Sequence, residues 1–368
     1  MQINPYDLWH MKSALNLART GLGLTWPNPS VGCVIIKDGH VVGRGRSGDG
    51  GRPHAETVAL NMAGKHAKGA FVYVTLEPCA HHGKTPPCAQ ALIDAGVSKV
   101  IIATEDTDDR VSGKGIEMLR AAGIEVVVGI MAEQARDLNK GFFLRHAEQR
   151  PLISLKTATT LDAKIATSTG ESKWITGELA RKRAHLLRVQ HDAIAVGVNT
   201  IISDNPQLNS RLNGIVKNQV RIIFDTHLRL KGTEKIFENL LENPVWVVTT
   251  IEATSDKARP LVNAGADLIT VSKNADGKID LSQAMNALCA RGITRLLVEG
   301  GANLMTSFMK LGLYDTLYWF KAGSVIGADG LNAAQALGIA KIDQKIRLTH
   351  SEQIILGEDV LDIYKRTA

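Results

Sequence analysis

Four residues in the first quarter of the chain have the types and spacing of a zinc site. His54 is separated from Glu56 by one residue, and Cys79 and Cys88 follow a predicted strand. An imidazole and two thiolates are three good zinc ligands, and they leave the fourth tetrahedral position to a water. Zinc lowers the pKa of such a water towards about 7, which makes it a nucleophile at neutral pH. Glu56 is not needed as a ligand, so we expect it to carry protons.

The spacing of the two cysteines separates this chain from the general zinc deaminase pattern. His-x-Glu followed by Pro-Cys-x-x-Cys is typical of enzymes that deaminate cytosine- and adenine-type rings. Here eight residues lie between Cys79 and Cys88. The loop can still return a thiolate if Cys88 opens a helix, and the residues up to Gly96 have that pattern. A structural zinc site, with His81 or His82 as the fourth ligand, is the alternative, but it leaves Glu56 without a role.

Length and composition limit the classes of protein that the chain can belong to. A chain of 368 residues can form two domains with full cores. The net charge of +6 favours anionic ligands. Basic residues form no long block and aromatic residues make up 5%, which argues against nucleic-acid binding. We find no signal-peptide pattern and no apolar run of about 20 residues, and four cysteines are too few for a disulfide scaffold. We therefore expect a cytoplasmic protein that binds no membrane.

Alternating strand and helix patterns in both halves predict a layered α/β fold. A helix is predicted over 132–143, and the polar stretch 145–151 is the best linker, so we predict domains at 1–147 and 148–368. In the second half, Glu299-Gly300-Gly301-Ala302-Asn303 lies between a predicted strand and a helix, where backbone amides favour an anion. The G-x-G-x-x-G fingerprint does not follow any predicted strand, so a bound dinucleotide would need a fold other than the Rossmann fold.

Several motifs resemble a known family and extend this interpretation. The motifs Pro27-Asn28-Pro29-x-Val31-Gly32, His54-Ala55-Glu56 and the long-spaced cysteine loop resemble the deaminase half of the bifunctional riboflavin-biosynthesis deaminase/reductase family. The spacing of eight residues is that of this family. The second half resembles the reductase half through the stretches 160–166, 170–176, 204–208 and 299–304. The resemblance implies a zinc cytidine-deaminase-like three-layer domain followed by a dihydrofolate-reductase-like domain.

The resemblance also implies the reactions and the residues that take part in them. Zinc-activated hydroxide would deaminate 2,5-diamino-6-(5-phosphoribosylamino)pyrimidin-4(3H)-one, and NADPH would then reduce the ribosyl group to a ribityl chain, with one zinc per chain. The implied substrate contacts are Asn28, His82, Lys84, Ser172, Arg188, Leu208, Arg211 and Glu299. The implied cofactor contacts are Ala158, Trp174, Thr200, Asp204, Thr226, Gly301, Ala302, Asn303, Leu304, Met305, Thr306 and Ser307.

Two other functions are compatible with the motifs taken alone. One is a zinc deaminase of nucleosides or nucleic acid with an accessory nucleotide-binding domain. The other is a non-catalytic binding protein that zinc stabilises. We expect a small phosphorylated pyrimidine as substrate, no nucleic-acid partner, and assembly into a homo-oligomer.

Overall fold

The structure is a computed structural model that describes residues 4–81, 86–106, 112–212, 214, 217 and 219–367. The chain divides into two compact units, Met1–Arg150 and Pro151–Ala368. The predicted boundary after residue 147 falls close to this division. Independent folding of the two halves stays a prediction.

The first unit is a mixed sheet with helices packed on both faces. Its described helices are α1 Pro5–Arg19, α2 Ala55–Ala63, α3 Cys88–Asp94, α4 Lys114–Ala121, α5 Ala132–Leu138 and α6 Lys140–Ala147. Its described strands are β1 Gly32–Lys37, β2 His40–Arg46, β3 Phe71–Val74, β4 Lys99–Ile102 and β5 Glu125–Val128. The strand order is β2-β1-β3-β4-β5, in which β3, β4 and β5 run parallel and β1 is antiparallel to both neighbours.

Successive side chains of β3 point to opposite faces of the sheet, so they pack into two different hydrophobic cores. Val72 and Val74 pack with α2 and α3 on one face, and Tyr73 packs with α1 on the other. The predicted three-layer arrangement of this half is confirmed.

Two glycines of β2 allow α2 to lie directly on the sheet. A Cβ at Gly43 would stand 2.2 Å from the Ala59 carbonyl oxygen, and one at Gly45 would stand 2.6 Å from that of Ala55. Real carbon atoms do not approach so closely, so both positions require glycine. The close contact fixes the start of α2, which carries Glu56 in its first turn.

The second unit is a larger, mostly parallel sheet. Its described helices are α7 Glu178–Val189, α8 Val198–Asp204, α9 Arg259–Asn263, α10 Leu281–Ala290 and α11 Ala302–Lys310. Its described strands are β6 Leu152–Thr159, β7 Lys164–Ala166, β8 Ala193–Gly197, β9 Val220–Phe224, β10 Val245–Thr249, β11 Asp267–Thr270, β12 Arg295–Val298, β13 Thr316–Lys321, β14 Leu331–Asn332, β15 Leu348–Leu356 and β16 Asp359–Arg366.

The main sheet of this unit has the order β11-β10-β9-β8-β12-β6-β13-β16-β15, and β7 pairs with β14 apart from it. Strands from β11 to β13 run parallel, whereas β16 and β15 are antiparallel additions at one edge. The carboxyl ends of the parallel strands therefore meet at one edge of the sheet, where ligands bind in open α/β sheets.

The structure differs from the sequence-based prediction of secondary structure near the end of the first unit and at one edge of the second sheet. The helix predicted over 132–143 breaks at Asn139, and α6 continues to Ala147, so residues 145–147 are helical rather than linker. Phe142 and Leu144 supply the buried side of α6, and the polar residues that resembled a linker lie on its outer side. Strand β15 was not predicted because it is an edge strand with mostly exposed residues, which weakens the apolar alternation.

Among the described residues, the structure contains no helix with the length and apolar character needed to span a bilayer.

Candidate active sites

Three segments bring the predicted zinc ligands together at the end of β3. His54 caps the N-terminus of α2, and Cys88 is the first residue of α3. Cys79 lies in the segment that follows β3, where its backbone carbonyl accepts a hydrogen bond from the Ala89 N–H. The Cys88 N–H donates to the Cys79 sulfur at 3.3 Å. Both helix starts therefore face the sheet edge that presents Cys79.

The geometry of these three side chains fits a zinc ion. His54 Nδ1 lies 3.2 Å from Cys88 Sγ and 3.7 Å from Cys79 Sγ, and all three donor atoms lie within 4.8 Å of one another. Tetrahedral zinc with bonds of about 2.0–2.3 Å places neighbouring ligand atoms roughly 3.5 Å apart. Hydrogen bonding between the two cysteines lowers the pKa of the Cys79 thiol to about 4 and raises the pKa of the Cys88 thiol, so one thiolate is available and zinc must displace the proton of the other.

Glu56 is positioned as a carboxylate beside the ligands and not as one of them. It is 4% exposed in the first turn of α2, and it contacts the Cys88 side chain. Burial raises the pKa of Glu56 to about 7, close to the optimum for a group that both accepts and donates protons near neutrality.

Asn28 lies against the turn that leads to the zinc site. Its side-chain Nδ2 donates to the Gly50 carbonyl at 2.9 Å, and Gly51 is so close that a Cβ there would stand 2.3 Å from the Asn28 Cβ. The same turn is closed by a hydrogen bond from the Gly48 N–H to the Pro53 carbonyl, one residue before His54. In the part of the chain that the structure describes, the Oδ1 atom of Asn28 has no donor, which leaves it as an acceptor for a ligand.

The remaining predicted residues of this half are in the long loop between the cysteines. His82 and Lys84 lie outside the described residues. His81 is exposed and is not part of the His54–Cys79–Cys88 cluster that the described residues form. Among the described residues, the donor set therefore has three members, the number of protein ligands that a catalytic zinc requires.

In the second unit, predicted ligand residues gather at the carboxyl ends of four adjacent strands. Thr226 follows β9, Thr200 lies on α8 after β8, Gly301 follows β12, and Ala158 lies near the end of β6. A Cβ at Gly301 would stand 3.3 Å from the Thr200 hydroxyl. The strands are neighbours in the order β9-β8-β12-β6, so these residues form one continuous edge.

The nine-residue helix α11 begins at this edge. Its N-cap residue is Gly301, which has no side chain to accept hydrogen bonds from the first-turn amides. Within the predicted range 301–307, Met305 and Thr306 are buried, and the Met305 N–H already donates to the Gly301 carbonyl. The first-turn amides of Ala302, Asn303 and Leu304 are thus better placed for an anionic ligand than the rest of the range.

Arg188 and Glu299 form a buried two-bond ion pair beside this edge. Arg188 Nε and Nη2 donate to the two Glu299 oxygens at 2.7 Å each, and Nη1 donates to the Asn209 carbonyl at 2.7 Å. Burial by itself would raise the pKa of Glu299, but Arg188 outweighs it and holds that pKa at about 2. Glu299 and Asn209 accept from three of the five guanidinium N–H groups, so the described residues leave two for a ligand.

Sequence reasoning missed two residues next to this pair, Lys156 on β6 and His185 on α7. Burial lowers the pKa of Lys156, and Glu299 opposes that effect. Burial and the nearby Arg188 lower the pKa of His185 to about 4, so its imidazole is neutral, and its Nδ1 is buried without a hydrogen bond to the described residues. His185 and Arg188 are three residues apart on one helix, a spacing that could have drawn attention to His185.

The other predicted contact residues of this unit differ in how far they are exposed to solvent. Leu208 is buried in the core, so its backbone is the part that a ligand could reach. Trp174 is 70% exposed, with the Arg181 guanidinium 4.5 Å from its ring centroid. Asp204 and Arg211 are exposed, and Ser172 is half-buried in the segment before α7.

Comparisons with known proteins agree with this two-site architecture. Residues 5–104 match the family model described as cytidine and deoxycytidylate deaminase zinc-binding region, and residues 151–360 match the RibD C-terminal domain. The riboflavin biosynthesis protein RibD of Aquifex aeolicus is 43% identical over 99% of both chains. This chain belongs to the RibD family.

Solved structures of RibD proteins have the same fold over nearly the full length. Acinetobacter baumannii RibD is 37% identical with a TM-score of 0.89, over 98% of this chain and 99% of that one. A Thermotoga maritima structure described as a diaminohydroxyphosphoribosylaminopyrimidine deaminase/5-amino-6-(5-phosphoribosylamino)uracil reductase is 33% identical with a TM-score of 0.86, with the same coverage.

Membership of the RibD family confirms the predicted activities. The chain is a bifunctional enzyme of riboflavin biosynthesis, with a zinc-dependent deaminase and an NADPH-dependent reductase. Its substrates are small phosphorylated pyrimidines, and the alternative of a nucleic-acid deaminase is not favoured. The roles of individual residues stay predictions.

Proposed function

We propose that the first unit deaminates the diaminopyrimidine ribosyl phosphate with His54, Cys79 and Cys88 as the zinc ligands. The observation that carries the proposal is the set of three donor atoms at tetrahedral spacing beside the buried Glu56. Zinc, when bound, supplies a Lewis acid that lowers the pKa of a coordinated water. Glu56 takes up the proton and returns it to the leaving amino group, because it is a buried carboxylate beside the ligands that zinc does not need.

Asn28 is proposed to orient the pyrimidine through its free Oδ1. The Nδ2 atom is held by the Gly50 carbonyl, which fixes the amide so that Oδ1 is presented as an acceptor. Pyrimidine amino groups are donors, so the contact favours a ring that carries them. From the resemblance, Lys84 stays a proposed phosphate contact and His82 a proposed substrate contact.

We propose that the second unit binds NADPH along the edge from Thr226 through Thr200 to Ala158. The first-turn amides of α11 suit a phosphate of the dinucleotide, and Trp174, Asp204 and the rest of the 301–307 range complete the proposed cofactor contacts. NADPH, when bound, supplies the hydride that converts the ring-opened ribosyl group to ribityl.

The substrate of the reductase is proposed to contact Arg188, Arg211, Ser172 and Glu299, with Leu208 contributing its backbone. Glu299 orients Arg188 and balances its charge.

Location and assembly are proposed on separate observations. All four cysteines are free, and two of them must be thiolates to bind zinc, which fits a reducing cytoplasm. Helix α1 leaves Tyr6 and Trp9 exposed at 71% and 64%, an apolar pair suited to contact between copies of the chain. Light scattering of the purified enzyme, with a Tyr6→Ser/Trp9→Ser variant as comparison, tests the proposed homo-oligomer.

The residue roles are tested by substituting Glu56→Gln in the full chain. The amide keeps the size of the side chain but cannot carry the proton, so deamination should fall by about 10²–10⁴-fold. Zinc content and reduction of the separately supplied deaminated substrate should stay normal, which makes the second unit an internal control. Deamination at the original rate with full zinc would remove Glu56 from the reaction. Products should be identified by mass, with and without NADPH.

A further inference from the structure

A buried asparagine outside all the predicted site residues holds the loop that carries Asn28. Asn139 lies at the break between α5 and α6, with φ −98° and ψ 15°, and it is 3% exposed. Its Oδ1 accepts the Ser30 N–H at 2.9 Å, and its Nδ2 donates to the Ser30 carbonyl at 3.0 Å. The side-chain amide thus pairs with both backbone groups of one residue, as a residue of a neighbouring antiparallel strand would.

The backbone of Asn139 does not depend on this contact. Its N–H donates to the Ala135 carbonyl and its carbonyl accepts the Phe143 N–H, so both helices are connected without the side chain. The described hydrogen bonds of the side chain therefore go to the loop and not to the two helices. Asparagine matches this task because a single group must donate and accept at the same time.

The Ser30 side chain fixes the same point from another direction. Its hydroxyl donates to the Ala18 carbonyl at 2.6 Å at the end of α1. Asn28, two residues earlier, contacts the Gly50–Gly51 turn that precedes His54. The loop is thus anchored at Ser30 and holds Asn28 against the turn that leads to His54, and Asn139 supplies two of the anchoring hydrogen bonds.

We propose that Asn139 is a positioning residue of the deaminase, which sets the position of Asn28 by pairing its amide with the Ser30 backbone. The inference rests on the proposed contact between Asn28 and the pyrimidine. It makes the connection between α5 and α6 part of the substrate-binding apparatus, although these helices provide none of the proposed zinc ligands.

The test measures deamination of the diaminopyrimidine ribosyl phosphate by the full-length zinc enzyme. Asn139→Ala removes two hydrogen bonds and should raise KM about tenfold with a smaller change in kcat. Asn139→Asp retains the acceptor for the Ser30 N–H but turns its second oxygen towards the Ser30 carbonyl, so the rise in KM should be at least as large. Asn16→Asp, an exposed asparagine on α1, is the matched control and should change nothing.

Combining the Asn139 and Asn28 substitutions distinguishes a role of Asn139 in positioning Asn28 from a role in packing alone. If Asn139 acts through Asn28, adding Asn139→Ala to Asn28→Ala should raise KM by less than twofold beyond Asn28→Ala alone. Zinc content and the rate of the reductase should be normal in every variant. Full additivity, an unchanged KM in both Asn139 variants, or loss of zinc together with the rate would each overturn the inference.

The comparison also distinguishes this inference from the function on which it rests. An Asn28→Ala enzyme with an unchanged KM would refute the proposed pyrimidine contact itself. A raised KM in Asn28→Ala with an unchanged KM in Asn139→Ala would refute the role of Asn139 alone.

Discussion

Substituting Arg188→Ala should damage the second unit in two separable ways. The arginine and Glu299 have side chains only 14% and 6% exposed, and the substitution removes three hydrogen bonds of 2.7 Å. It also leaves the Glu299 carboxylate buried without its counter-charge. Breaking a buried ion pair from one side costs about 3–5 kcal/mol. In a unit of this size, a loss of 1 kcal/mol in the free energy of unfolding lowers the melting temperature by about 2–4 °C. The melting midpoint of the second unit should therefore fall by on the order of 10 °C.

Differential scanning calorimetry of the full chain measures this loss. The transition of the second unit is the one that NADPH shifts upward, because the proposed cofactor site is in that unit. Arg211→Ala is the control, since Arg211 is exposed: both variants should bind the phosphorylated substrate about tenfold more weakly, but Arg211→Ala should keep its melting midpoint.

Adding Glu299→Gln to Arg188→Ala provides the decisive comparison. The amide removes the buried negative charge, so the double variant should melt several degrees above Arg188→Ala, although substrate binding remains weak. The reasoning is refuted if Arg188→Ala melts like the original enzyme, or if the double variant is no more stable than the single one.

Three further predictions concern zinc, pH and the two units. Cys88→Ala should lose zinc and deamination while reduction continues; normal zinc by metal analysis would show that another residue binds the ion. The pKa of Glu299 is about 2 in the folded chain against 4.5 for the free side chain, so the folded state binds fewer protons. Its stabilisation of roughly 3 kcal/mol is present above pH 4.5 and should be lost as pH falls towards 2, which acid unfolding monitored by circular dichroism can follow. Fragments 1–150 and 151–368 should each fold and catalyse one reaction; a folded deaminase fragment that works only when the other is added would refute independence.

The deaminase chemistry could be predicted from the sequence because its residues lie at the starts of local elements. His54 and Glu56 belong to one helix start, and Cys88 opens the next helix, so spacing along the chain fixes their geometry. The alternation of strands and helices likewise predicted the layered folds, since burial of one face imposes a period on the sequence. The reductase activity was predicted only from the family resemblance, because none of its motifs taken alone indicates a particular reaction.

The tertiary structure decided the contacts that join distant parts of the chain. Asn139 and Ser30 are 109 residues apart, and Arg188 and Glu299 are 111 apart. Lys156 is one lysine in an apolar strand, and its lowered pKa arises from what packs around it. Local patterns report the path of the backbone, whereas pairing and burial depend on which segments the fold brings into contact. The pairing of Arg188 with Glu299, the pairing of Asn139 with Ser30 and the burial of Lys156 could therefore be seen only in the folded chain.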